Sequence, residues 1–339
     1  MPFATSRNPV YRCPIEIWNV IFSLACEPGG RTAAAICGVS RYFYEAIKPH
    51  RLNSLAIYGK SRIAAFHRAM EIIPPDVPRA KHLYIGLIPD FRVKDAQEVC
   101  NTIIDGWFHG REETEGERNY RETQGSNLFT SGPYSPEHDD FQRDVVGGII
   151  SQHRDTLQTL TYLTVANYIN FKAFGSLPNL QDLAIVYLCH KSIFSEVYVD
   201  DTVRQRVQFP SLKRLHLSHF EAKVPFDPED FRYFAPELTH LRISGRECLI
   251  RYEKLPPRTK VLLQPVMMPG QEKRQLILQI YSGLLERSSQ KRTVILKPGR
   301  REERRYGFFD ALKDWLDVSN GGNAFWDSES IVYFDEPGG

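Results

Sequence analysis

Apolar residues follow two rhythms along this chain. From Ile17 they recur at Ile21 and Leu24, the i, i+4, i+7 spacing of one helical face, with Asn19 and Ser23 turned elsewhere. Pro14 and Glu16 stand at the entrance of this run, where a first helical turn favours Pro and an acid. Glu27-Pro28-Gly29-Gly30 then breaks it, so the pattern predicts a helix from about Pro14 to Cys26. A second helix is expected from Thr32, whose side chain suits an N-cap, through Ala33–Ile36 to Gly38. Ser40 is placed to cap a third, with Tyr42, Phe43, Ala46 and Ile47 on one side and Pro49 at its end. Three short helices bury little apolar surface alone, so this block is expected to lean on a partner or on the remainder of the chain.

Beyond Arg51 the rhythm becomes Leu-x-x-Leu-x-Leu-like. It reads Ala80-Lys81-His82-Leu83-Tyr84-Ile85, Leu180-Gln181-Asp182-Leu183-Ala184-Ile185, Leu212-Lys213-Arg214-Leu215-His216-Leu217 and Leu238-Thr239-His240-Leu241-Arg242-Ile243. A phrase around Leu157–Val165 fits two registers, Leu157/Leu160/Tyr162 or Leu160/Leu163/Val165. Pro178, Pro210 and Pro236 lead into three of these phrases, and Lys260–Leu263 and Thr293–Leu296 read as later strands. Leu180 to Leu212 is 32 residues and Leu212 to Leu238 is 26, around the ~20–29 residues of leucine-rich repeats. The pattern predicts parallel strands with variable returns, an irregular repeat solenoid. A generic α/β domain with several Leu-rich strands is the alternative it leaves open. A helix is expected from about Glu272 to Leu285. Another carries Phe308, Leu312, Trp315 and Leu316, closes at Asn320-Gly321-Gly322, and is expected to form the solenoid's final cap with Trp326.

Composition narrows the classes. With 339 residues, 43 Lys+Arg and 41 Asp+Glu, the chain is nearly neutral and has room for about two domains. Nothing in its overall charge draws it to nucleic acid or an anionic membrane. Six scattered cysteines form no C-x-x-C pair, which points to free thiols in a reducing cytosol or nucleus. Arg7 and Arg12 before Ile17–Cys26 loosely imitate a secretory signal, but the polar positions within that run favour an amphipathic helix. No run reaches the ~18 apolar residues of a membrane span. The stretch from about 106 to 140 is polar and is expected to be a mobile insertion, with Ser131 and Ser135 as conceivable phosphorylation positions. The basic tract Lys297–Arg305 is interleaved with Glu302 and Glu303 and reads as a solvated face.

The order of Cys13-Pro14-Ile15-Glu16-Ile17-Trp18, Ile21-Phe22 and Val39-Ser40-Arg41-Tyr42-Phe43 resembles an F-box. Cys13 stands where the family has Leu, and the likeness spans Cys13 to Arg51. The chain is thus similar to F-box-like proteins with irregular C-terminal leucine-rich repeats, a type common in fungi. The resemblance implies an α/β chain with a three-helix F-box-like unit over residues 1–55 and a leucine-rich-repeat-like solenoid over 56–339. It also implies a substrate-recognition subunit of a cullin–RING ubiquitin ligase that links a Skp-type adaptor to a protein target. Pro14, Ile17, Ile21, Phe22, Val39 and Ser40 would then meet the adaptor or build its docking face. The rival expectation is a non-catalytic scaffold whose helices only cap the repeats.

Catalytic signatures are missing from the sequence: it has no G-x-S-x-G, Walker loop, G-x-G-x-x-G or H-E-x-x-H. His216 and His219, i and i+3 on a strand, point to opposite faces, so no metal or cofactor is expected. Asp139-Asp140 and Asp200-Asp201 read as loop or turn residues. With Leu inward, Asp182, Arg214, His216, Ser218, His240, Arg242, Ser244 and Lys260 share the outer face. Arg214, His216, His240, Arg242 and Lys260 are the candidate partner-binding residues there, for an acidic or phosphorylated segment that Arg would grip bidentately.

Overall fold

The computed structural model describes residues 13–26, 31–74, 77, 79–87, 140–164, 174–187, 209–218, 231–232, 235–245, 255–265, 293–295, 308–322 and 326. The expectations for residues 106–139, for a helix at 272–285 and for the basic tract at 297–305 lie outside them. So do Arg7, Arg12, Asp200 and Asp201.

Three helices open the described chain: α1 (Ile15–Ala25), α2 (Arg31–Cys37) and α3 (Arg41–Ile47). Glu16 sits in the first turn of α1, and the Cys26 N–H donates to the Phe22 carbonyl at its end. The Ser40 Oγ accepts from the Phe43 N–H at 3.2 Å, the N-cap its position suggests, whereas α2 starts at Arg31, one residue before Thr32. Phe22, Cys26, Ala33, Ala46 and Ile47 form a small core of their own, flanked by Trp18, Ile36, Cys37 and Phe43.

The rest of the described residues are built on eight strands: β1 (Ser54–Tyr58), β2 (His82–Leu87), β3 (Thr159–Thr164), β4 (Asp182–Tyr187), β5 (Arg214–Ser218), β6 (His240–Gly245), β7 (Lys260–Pro265) and β8 (Thr293–Ile295). They pair in chain order and always in parallel. Gly59, at φ 90°, turns the chain from β1 into α4 (Lys60–Ile72), which the Leu pattern did not mark. A π-helical turn (Phe141–Val146) runs into α5 (Gly147–His153), and α6 (Phe308–Ser319) comes after the last strand.

A recurring lead-in sets the register. Leu180, Leu212 and Leu238 each donate back three residues, to Leu177, Phe209 and Ala235, closing a turn around the intervening Pro. The next residue then joins the preceding rung, as when the Gln181, Lys213 and Thr239 N–H groups meet the carbonyls of Gln158, Gln181 and Lys213. One sheet face therefore carries Leu83, Ile85, Leu160, Tyr162, Leu183, Ile185, Leu215, Leu217, Leu241, Ile243, Val261 and Leu263 into a single core with Ile63, Ile149 and Ile150. Leu157 and Tyr162 belong to that core while Leu163 lies on the other face, which selects the first of the two registers for this phrase.

The architecture corrects the expected fold class. In place of a helical F-box-like unit followed by a leucine-rich-repeat-like solenoid with an open outer face, the chain is an α/β protein on one all-parallel sheet. Helices cover both faces of that sheet: α4 and α5 on one side and α6 against β2 and β3 on the other. All six residues of β3 are buried, which a strand with one solvated face would not allow. α6 is accordingly not an end cap. Strand starts from β3 to β7 fall 23, 32, 26 and 20 residues apart, and β3 starts 77 after β2, so no fixed period organises the described strands. The order of the described strands is strictly sequential, with no reversal point among them of the kind that holds ligands in doubly wound sheets.

Candidate functional site

The helical unit is inside out on one side. Its α1 sequence, Ile-Glu-Ile-Trp-Asn-Val-Ile-Phe-Ser-Leu-Ala, is apolar almost all round, a composition suited to a helix covered on more than one face. Only part of it is covered. Phe22 is buried, stacked on Trp18 with ring centroids 5.4 Å apart and edge-on to Phe43 at 5.6 Å. Ile15, Ile17, Val20, Ile21 and Leu24 stay exposed, from 41% for Ile15 to 64% for Leu24. Val39, in the turn between α2 and α3, is 63% exposed, and Tyr44 also faces solvent. Isolated exposed apolar residues are ordinary, but five on an eleven-residue helix give α1 an unusually apolar exposed side.

Of the six residues that the F-box resemblance singles out, four lie at this surface: Pro14, Ile17, Ile21 and Val39. Phe22 is instead the centre of the unit's core, and Ser40 serves as the cap of α3. Val20 and Leu24 were missed, although the all-round apolarity of α1 marks them in the sequence. Cys26 lies in the same small core, and burial pushes its thiol up to about 11, so it is protonated at neutral pH.

The expected partner-binding residues do share one face, opposite the main core, as the alternation requires. They do not form an open charged surface. His216, Ser218, Arg242 and Ser244 are all buried. His216 Nε2 and Ser244 Oγ are 2.9 Å apart, and burial, with Arg242 nearby, holds the imidazole well below its ordinary value and therefore neutral. Arg242 Nη1 donates to Asp314 Oδ2 of α6 at 3.3 Å. Arg214 and Asp182 meet fork to fork, Nη2 donating to Oδ2 at 2.8 Å, and the Trp326 ring lies 5.9 Å from the guanidinium. Trp326 is also edge-on to His240, whose titration is lowered by burial first and then by Lys260 and Arg214. His240 and Lys260 are half-buried. The bidentate grip expected of Arg214 for an acidic partner is thus already engaged by Asp182, a residue the sequence placed beside it on the same face.

Among the described residues, no group of three His, Cys, Asp or Glu could hold a metal ion, and no helix is long and apolar enough to cross a membrane. No protein-family model matches the chain, and no curated protein matches its sequence.

Proposed function

We propose that this chain is a non-catalytic recognition subunit of a cullin–RING ubiquitin ligase, acting in the cytosol or nucleus. Its α1 face docks on a Skp-type adaptor and its α/β domain presents a target protein. The observation that carries this reading is the row Ile17, Val20, Ile21 and Leu24, left in water by a helix whose opposite side is already packed. Covering each such side chain gains roughly 1 kcal/mol beyond its present half-burial, which favours association through this face. The F-box-like order of motifs supports a Skp-type adaptor as the occupant.

Co-purification with a Skp-type adaptor tests the proposal. Ile21→Asp is expected to abolish it while changing the chain's own stability by no more than about 1 kcal/mol, because Ile21 is 42% exposed. Phe22→Asp, by contrast, places a charge in the helical core and is expected to unfold that unit. Undiminished capture by a folded Ile21→Asp chain would refute docking through α1. Absence of capture by the unaltered chain would favour the scaffold reading.

A further inference from the structure

The first residues of β2 to β7 make a row across one sheet face. In parallel register His82 stands beside Thr159, then Asp182, Arg214, His240 and Lys260 follow in turn. Neighbours in such a row are about 4.8 Å apart, close enough to settle their polar groups on one another. The first four do so in couples: His82 Nδ1 lies 3.0 Å from the Thr159 hydroxyl, and Asp182 is forked to Arg214. The last couple does not. It sets the Lys260 ammonium beside the His240 imidazole, and Lys260 enters no ion pair among the described residues. Both side chains are half-buried, so this end of the row holds a partly desolvated positive charge with no acid to answer it. The His240 ring is fixed from behind. The Thr239 hydroxyl donates its one proton to the Lys213 carbonyl at 2.9 Å, so its oxygen accepts from His240 Nδ1–H, also at 2.9 Å. Nε2 is then the unprotonated nitrogen of the neutral ring. Trp326 stands edge-on to this ring and beside the Arg214 guanidinium, walling the Arg214 side of the couple.

We propose that His240 and Lys260 form a subsite for a carboxylate of an acidic peptide segment, the acid that this row of the sheet lacks. The carboxylate lies between the Lys260 ammonium and His240 Nε2, and the imidazole takes up one proton from water so that Nε2–H donates to it. Of the charged groups that face the ring, Lys260 and Arg214 oppose its protonation and Asp182 favours it. A bound carboxylate adds to the Asp182 side of that balance, so binding tightens as the pH falls. That the acidic segment belongs to a ligase target rests on the function proposed above; the subsite itself does not, and its test leaves the adaptor-binding face untouched.

Fluorescence anisotropy with the full chain and a fluorescein-labelled peptide of alternating Glu and Gly tests this, with the peptide bearing Gln for Glu as its control. The Glu peptide is expected to bind at least about fivefold more tightly than the Gln peptide, and Lys260→Gln should remove that advantage. Its affinity should rise at least about threefold from pH 8 to pH 6.5, and His240→Gln should flatten that rise. The Ile21→Asp chain should bind the Glu peptide as the unaltered chain does, so loss of the subsite and loss of adaptor docking are read separately. A readout that needs no variant is the His240 ring in the nuclear magnetic resonance spectrum of the unaltered chain, which should move to its protonated position when the Glu peptide is added at pH 7. Equal binding of the two peptides would overturn the proposal. So would a folded Lys260→Gln chain that keeps the preference, an affinity that ignores pH, or a His240 ring that does not respond.

Discussion

Acidification from pH 7.5 to about pH 5 is expected to destabilise the α/β domain well before its carboxylates protonate. The perturbation acts on buried imidazoles. His153 is fully buried, its Nδ1 accepts the Ala80 N–H at 2.9 Å, and burial with Arg79 nearby lowers its titration from 6.5 to about 4. His82, 3.0 Å from the Thr159 hydroxyl through Nδ1, is lowered to about 4 by burial and Lys81. Each is neutral when folded and protonates near 6.5 when unfolded. The stability they hold is therefore complete above about pH 6.5 and is lost as the pH falls toward 4. Between pH 7.5 and 5 that loss is about 2 kcal/mol per histidine, or about 4 kcal/mol for the pair, a large share of the ~5–15 kcal/mol of a typical domain. His216 is lowered by burial in the same direction and adds to it. Protonating His153 also removes the acceptor for Ala80, so the charged ring cannot keep its native hydrogen bond. Urea unfolding followed by far-ultraviolet circular dichroism at pH 7.5, 6.5, 6.0, 5.5 and 5.0 reads the effect as a falling midpoint. His153→Gln should lower stability at pH 7.5 yet flatten the pH dependence by about 1.4 kcal/mol per pH unit below 6. A midpoint constant from pH 7.5 to 5, or a His153→Gln chain with an undiminished slope, would refute the reasoning.

Two further substitutions separate surface from interior. Arg214→Glu with Arg242→Glu, which would be benign on an open face, sets like charges against Asp182 and Asp314; it should cost more than about 3 kcal/mol in urea unfolding, and an unchanged midpoint would show those pairs to be solvated. Ser40→Ala removes the acceptor for the Phe43 amide and should cost the helical unit about 1 kcal/mol, read as roughly fivefold faster exchange of that amide.

Much of the local structure was legible because it depends on local geometry. The period of two in Leu183/Ile185, Leu215/Leu217 and Leu241/Ile243 sent these residues to one core, and with them His216 and Arg242 to the opposite face. Ser40 as a cap and the stop after Ser319 could be read from a few neighbouring residues. Other features depended on remote contacts. The phrase at Leu157–Val165 allowed two registers until pairing with β2 chose one, and α4 carries too few Leu signals to stand out. Ile21 and Phe22 are adjacent and equally apolar; Phe43, 21 residues away, decides that Phe22 goes inside. Above all, alternation says which side chains share a face but not what covers it. The polar face of the strands reads as solvent-facing until α6 arrives and Asp314, 72 residues beyond Arg242, meets its guanidinium. Backbone period is a property of a few consecutive residues, whereas burial is a property of whatever else the folded chain brings within reach.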